Sequence, residues 1–179
     1  MTAEKAQEYH FRQIESFSNT PVDLVTAITM NYVEEAIGIM QAADSVKLPA
    51  VISFTVETDG KLPTGMSLGE AIQRVDEKVK PLYYMVNCAH PTHFFPELEK
   101  GKKQGWVNRV RGIRANASCK SHAELDEATQ LDSGNPRELG TQHKELKSLF
   151  PHLNVFGGCC GTDDRHILEI TKEISTSWS

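Results

Sequence analysis

Long apolar runs are missing from this sequence. No stretch approaches the roughly 18 residues that cross a bilayer as a helix, so no membrane partner is expected. The opening residues, Met1-Thr2-Ala3-Glu4-Lys5, contain no apolar core of a secretory signal. Positive charge is also short. The 19 Lys and Arg stand against 24 Asp and Glu, a net charge of −5, and this argues against a nucleic acid, whose phosphates require a basic face. There is no internal repeat, no low-complexity linker and no nucleotide-binding glycine loop. The length of 179 residues falls short of the ~250 typical of a complete (β/α)₈ barrel, although it suffices for one real core. Cysteine is sparse, four in all. Without a secretory signal, these thiols predict a reducing, cytoplasmic setting, where clustered cysteines serve metal binding or chemistry more often than disulfides. The 39% apolar and 24% charged fractions are those of a soluble globular domain.

Read in order, the chain alternates between strand and helix patterns. Ala6, His10, Ile14 and Phe17 share one face of a helix over 3–18, which stops at Asn19-Thr20-Pro21. Val22–Thr29 reads as a short strand, and 33–46 as a helix burying Val33, Ile37 and Met40. Ala50–Val56 is β-branched and aromatic, closed by the turn pair Asp59-Gly60. Ser67 and Glu70 form a capping box that opens a helix to about Lys80, with Ile72, Val75 and Val79 inward. Leu82–Asn87 is the next strand. A loop with His90, Pro91 and His93 leads to a short helix near 94–101. Arg109–Ala115 is a strand whose arginines, Arg109, Arg111 and Arg114, form a solvated face. Residues 116–135 are polar and read as a long loop. Pro136 opens a helix over 136–149, Leu153–Phe156 is the last strand, and Asp163 or Asp164 caps a final helix with Ile167, Ile170 and Ile174 on one face. Strand and helix alternate about five times, which predicts one α/β domain over 1–179, a parallel sheet with helical crossovers.

In such sheets function sits at the carboxyl ends of the strands, and both thiol motifs fall there. Cys88 ends the run Val86-Asn87-Cys88, and Cys159 and Cys160 lie in Phe156-Gly157-Gly158-Cys159-Cys160-Gly161-Thr162-Asp163. Three sulfurs with a fourth position open match the ligand count of a catalytic zinc, Zn²⁺. Consecutive strand residues point to opposite faces, so Cys159 and Cys160 can serve one ion only if the backbone leaves the strand there. Gly157, Gly158 and Gly161 make such a turn cheap. A helix opening at Asp163 places its positive end near the thiolates and favours them. Zinc deprotonates a coordinating thiol, so this pattern suggests thiol alkylation. Competing readings are a vicinal disulfide or redox dithiol at Cys159-Cys160, two small core residues, or a purely structural zinc, though the paired Cys-x₂-Cys knuckles of small structural sites are lacking. Cys119 reads as a bystander. His90 and His93 read as loop residues near the site, and His10, His122, His143, His152 and His166 as surface residues.

Asn87-Cys88 with His90-Pro91, and Gly157-Gly158-Cys159-Cys160-Gly161-Thr162, resemble the two zinc signatures of the homocysteine S-methyltransferases. Asp23-Leu24-Val25 with Thr29-Met30 and Glu34-Glu35-Ala36 is similar to that family's fourth-strand segment, and Ser53-Phe54 with Gly65-x-Ser67-Leu68-x-Glu70-Ala71 to its fifth strand and following helix. The likeness runs from about residue 3 to the end. It implies a (β/α)₈ TIM-type barrel, Zn²⁺ held by Cys88, Cys159 and Cys160, and methyl transfer from a sulfonium or ammonium donor to the thiol of homocysteine, forming methionine. The implied partners are a small-molecule thiol acceptor and a methyl donor. No catalytic residue is implied beyond the metal ligands, with Asn87 orienting the first of them. Two departures stand out. Ile28 occupies a place where the family usually carries a glutamate thought to hold the substrate amino group, and an apolar side chain cannot hold an ammonium ion. The likeness also begins at the third helix, so strands 4–8 of the barrel are expected, either as a fragment of a longer protein or completed by a second chain. The alternative function is a non-catalytic zinc-binding half-barrel that acts only with a partner chain.

Overall fold

The computed structural model describes residues 1–175, and 176–179 of the expected domain lie outside the described residues. Five parallel strands form one sheet, β1 Val25–Met30, β2 Ala50–Phe54, β3 Tyr84–Asn87, β4 Val110–Ala115 and β5 Val155–Gly158, arranged in that spatial order. Chain order and spatial order coincide, which is the winding of a barrel; a doubly wound sheet reverses partway. The architecture is therefore five β/α units of a TIM-type barrel. Strands β1 and β5 each keep one edge without a strand partner among the described residues.

The helices are α1 Ala3–Ser18, α2 Val33–Ser45, α3 Leu68–Asp76, α4 Pro91–Gln104, α5 His122–Asp126, α6 Pro136–Leu149 and α7 Asp164–Ser175. Their starts follow local chemistry. Ser67 Oγ accepts the Glu70 N–H ahead of α3, and Asn135 Oδ1 accepts the N–H groups of Arg137 and Glu138 ahead of α6. One face of the sheet packs on these helices through Ile52, Phe54, Tyr84, Val86 and Ile113, which meet Leu68, Ile72, Phe94, Leu98 and Leu146 in a single core. Phe54 and Tyr84 stack at 6.1 Å between ring centroids. The Tyr84 hydroxyl donates to Asp76 at 2.9 Å, and Arg109 clamps the same carboxylate at 2.8 and 3.0 Å.

Several boundaries differ from the sequence expectation. β1 begins at Val25, because Val22 and Leu24 are exposed at 41% and 37% and find no strand to pair with. α3 closes at Asp76, ahead of the Lys80-Pro81 step that disfavours helix. α4 is longer than 94–101: His90 Nδ1 accepts the Thr92 N–H, Pro91 takes the first helical position, and Gly105 ends the helix at φ 81°. Residues 116–135 carry α5, opened by a Ser121–Glu124 capping box. β5 reaches into the glycines rather than stopping at Phe156. Arg109 belongs to a 3₁₀ turn, Trp106–Arg109, and Arg111 is half-buried against the His152 carbonyl, so of the expected three-arginine solvated face only Arg114 is exposed on β4.

Candidate metal centre

The thiol cluster forms where β3 and β5 end. Asn87, Arg114 and Gly157 are register partners across β3, β4 and β5, and each chain continues from this row into a loop. The Cys88 N–H donates to the Arg114 carbonyl at 3.2 Å, and the Cys159 N–H to the Ala115 carbonyl at 2.8 Å. Cys88 and Cys159 thus flank the end of β4. Cys88 adopts φ 55°, a left-handed conformation that costs a non-glycine residue energy and persists only where its surroundings hold it. Here they do. The Cys88 carbonyl accepts from Asn116 Nδ2 at 3.0 Å, His122 Nε2 at 2.6 Å and Thr55 Oγ1 at 3.4 Å.

The second motif turns just after β5. Cys160 N–H donates to Asn116 Oδ1 at 3.1 Å, and Thr162 Oγ1 donates to the Cys159 carbonyl at 2.7 Å. Two glycines permit this. Gly161 sits at φ 78°, and a Cβ at Gly158 would lie 2.1 Å from Thr162 Oγ1. Gly157 has neither constraint: a Cβ there would meet Arg114 only at 3.7 Å, an ordinary contact.

The result brings one sulfur from each of Cys88, Cys159 and Cys160 within 4.8 Å of the others. Cys88 Sγ lies 2.7 Å from Cys159 Sγ and 3.6 Å from Cys160 Sγ. A zinc tetrahedron with Zn–S near 2.3 Å has S···S edges of about 3.8 Å, so the Cys88–Cys160 edge is already of that length and the Cys88–Cys159 edge must open by about 1 Å. Three thiols with no competing disulfide form a donor set suited to a soft or borderline cation. The donor set fits zinc.

The pair also shares its protons unevenly. Cys159 is held down at about 5, first by the hydrogen bond from Cys88, with the Cys160 N–H, the Cys160 thiol and Asn87 adding to it against partial burial. Cys88, the donor in that bond, is pushed up by the same contact and then by burial. The cause of this uneven sharing is a neighbouring thiol ahead of any helix end.

Asn87 is buried, with Oδ1 accepting from Ser53 Oγ at 2.6 Å and the Thr29 N–H at 2.9 Å, and Nδ2 donating to Thr29 Oγ1 at 2.7 Å. It ties β1 and β2 to the row beneath the thiols. Asn116, which belongs to no motif of the sequence, bridges the two sulfur loops with one side chain; its place at the end of β4 is the signal that marks it. His122 is likewise not a free surface residue. It joins the Cys88 carbonyl to Glu57 Oε1 at 3.2 Å; burial pulls its pKa down, but those two acceptors outweigh it and the pKa is raised.

The remaining histidines divide. His143 and His166, expected at the surface, are fully buried. His143 Nδ1 donates to the Leu139 carbonyl at 2.8 Å, and His166 Nε2 donates to the Ser133 carbonyl at 2.8 Å while its Nδ1 accepts the Asp163 N–H at 3.1 Å. His90 is buried at the start of α4, and burial, then the His93 and His143 charges, lower it to about 4. His93 Nε2 donates to the carbonyl of Cys119, whose exposed thiol lies outside the cluster. Asp163 precedes α7 and accepts the Arg165 N–H at 3.0 Å, the capping role expected of it.

The family profile of homocysteine S-methyltransferases matches residues 1–174. Among solved structures, the apo form of the homocysteine methyltransferase MmuM from Escherichia coli is similar, with a TM-score of 0.69 at 16% identity. The likeness covers 97% of this chain and 57% of that one, so the chain spans little more than half the length of this neighbour. At that identity the likeness shows the fold.

Proposed function

The chain belongs to the homocysteine S-methyltransferase family, and we propose that it carries the metal-holding half of a zinc-dependent thiol S-methyltransferase. The observation that carries this reading is the convergence of Cys88, Cys159 and Cys160 at the carboxyl ends of β3 and β5. Cys88, Cys159 and Cys160 would hold the zinc, which when bound would supply Lewis acidity that favours the thiolate form of an acceptor such as homocysteine at neutral pH. The protein groups around it position and preorganise. Asn116, His122 and Thr55 hold Cys88 in its left-handed conformation, and Asn116 fixes the Cys160 N–H as well. Asn87 locks β1, β2 and β3 under the site. No general base is required once the acceptor is a thiolate. A reducing, cytoplasmic setting suits free thiols of this kind.

The test is transfer of a labelled methyl group from sulfonium donors to homocysteine by the zinc-loaded protein. Labelled methionine that vanishes in Cys159→Ala supports the reading. Absence of product at full zinc occupancy contradicts it for this chain alone.

A second reading is a zinc-holding half-barrel that acts with another chain. Ile28, 45% exposed where the family resemblance places a glutamate, and the open edges of β1 and β5 favour it. Under this reading the 1–179 domain is N-terminally incomplete and the missing strands come from a partner. Native mass spectrometry separates the readings: methyl transfer by the monomer excludes a requirement for the partner.

A further inference from the structure

On the sheet face away from the helices, the row beneath the thiols holds a cation with no ion-pair partner among the described residues. Arg114 is exposed on β4, a register partner of Asn87 on one side and Gly157 on the other. Its main chain is bonded to Cys88, and the residue after it accepts the Cys159 N–H. The guanidinium stem lies over Gly157, where an added Cβ would meet Cγ at 3.7 Å and Nε at 3.8 Å. Below it, Met85 and Gly112 close the same face, with Met85 filling the space a Gly112 side chain would take. Arg109 and Arg165 are each matched to an aspartate, and Arg111 to the His152 carbonyl. Among the described residues no carboxylate or carbonyl accepts from the Arg114 side chain.

The neighbours of this row on β1 and β2 carry no charge. Thr29, Ser53 and Asn87 satisfy one another, and Ile28 is apolar and exposed on the strand face opposite the core-packed Ala27. A small thiol whose sulfur reaches the three cysteines would therefore have its other end on the sheet face that carries the exposed Arg114 guanidinium and the aliphatic Ile28. A guanidinium presents parallel N–H donors that match a carboxylate bidentately.

We propose that Arg114 is a specificity-determining residue that binds the carboxylate of the acceptor thiol, and that the acceptor class is thiol carboxylates recognised by their acid group rather than by an ammonium. The proposal rests on the reading of the three cysteines as a metal site with a free position. It distinguishes homocysteine from its simpler relatives: γ-mercaptobutyrate keeps the acid and drops the amine, whereas aminopropanethiol keeps the amine and drops the acid.

The experiment loads the protein with cobalt and titrates each thiol, following the sulfur-to-cobalt charge-transfer band, so that no turnover is needed. Loss of a charge-assisted hydrogen-bonded anchor predicts that homocysteine and γ-mercaptobutyrate bind alike and aminopropanethiol about 30-fold more weakly. In Arg114→Gln the two acids weaken by about 30-fold and aminopropanethiol is unchanged, while Arg114→Lys restores part of the loss through its point charge. Equal binding of all three thiols by the native chain, or acids that bind Arg114→Gln as well as the native chain, overturns the assignment and leaves the metal reading standing. No thiol binding to a cobalt-loaded native chain overturns both. If Arg114→Gln fails to fold, the native-chain comparison still tests the acid preference, and Arg114→Lys, with the two acids weakened and aminopropanethiol unchanged, tests its assignment to this residue.

Discussion

Replacing Asn116 by alanine should weaken the metal centre without touching a sulfur. The Asn116 side chain is buried, accepts the Cys160 N–H at 3.1 Å and donates to the Cys88 carbonyl at 3.0 Å. The carbonyl keeps two other donors, Thr55 and His122, so its loss is small. The Cys160 N–H loses its partner, and because Cys160 is exposed the loss is that of a net hydrogen bond, about 0.5–1.5 kcal/mol. With the small void left by the amide, the metal-free protein should lose about 1–2 kcal/mol in urea unfolding. Zinc affinity should fall about 10–100-fold, the usual scale when a group supporting a ligand is removed. Competition against a chromophoric chelator measures that affinity, with Cys119→Ala as a control because its thiol lies outside the cluster. Zinc affinity in Asn116→Ala equal to the native value would refute the claim that this side chain organises the two sulfur loops.

Three further outcomes follow from the same structure. Gly158→Ala drives a Cβ to within 2.1 Å of Thr162 Oγ1 and should displace the Cys159 turn, seen as zinc binding lost in a protein whose circular dichroism stays α/β. Arg109→Met removes the clamp on Asp76 together with bonds to the Pro81 and Leu82 carbonyls, and should cost about 2–3 kcal/mol by urea titration; an unchanged midpoint would show the pair contributes nothing. Burial lowers both His90, to about 4, and His143, so the unfolded chain binds more protons between pH 4 and 6.5. The contribution of these two residues should therefore be complete above about pH 6.5 and fall as pH drops through that window, while His122, whose pKa is raised, contributes in the opposite sense; a fall in unfolding free energy from pH 7 to pH 5 that is the same in His143→Gln as in the native protein would show that His143 is not held neutral.

Much of this architecture was visible in the residues, because each strand is a short apolar run and each long helix carries one apolar face. The errors have physical causes. Val22 and Leu24 have strand propensity but no partner, and pairing decides where a strand begins. α4 extends past the expected 94–101 at both ends, because Pro91 takes the first helical position behind the His90 cap and the polar run Lys102-Lys103-Gln104 continues the helix to Gly105. α5 was legible, since Ser121 and Glu124 repeat the capping pattern of Ser67 and Glu70. The buried histidines were legible as well: His143 lies between Leu139 and Leu146 at helical spacing, and His166 keeps step with Ile170 and Ile174. At the site, strand-end position marked the three cysteines. The left-handed turn at Cys88 and the bridging by Asn116 were not legible, because both depend on bonds between segments far apart in sequence.

Metal content of the purified protein, beside each cysteine variant, tests the central claim most directly. One zinc per chain is expected in the native protein and in Cys119→Ala, and none in Cys88→Ala, Cys159→Ala or Cys160→Ala. Stoichiometric zinc retained in all three of those variants, or a folded native chain that takes up no zinc, would contradict it.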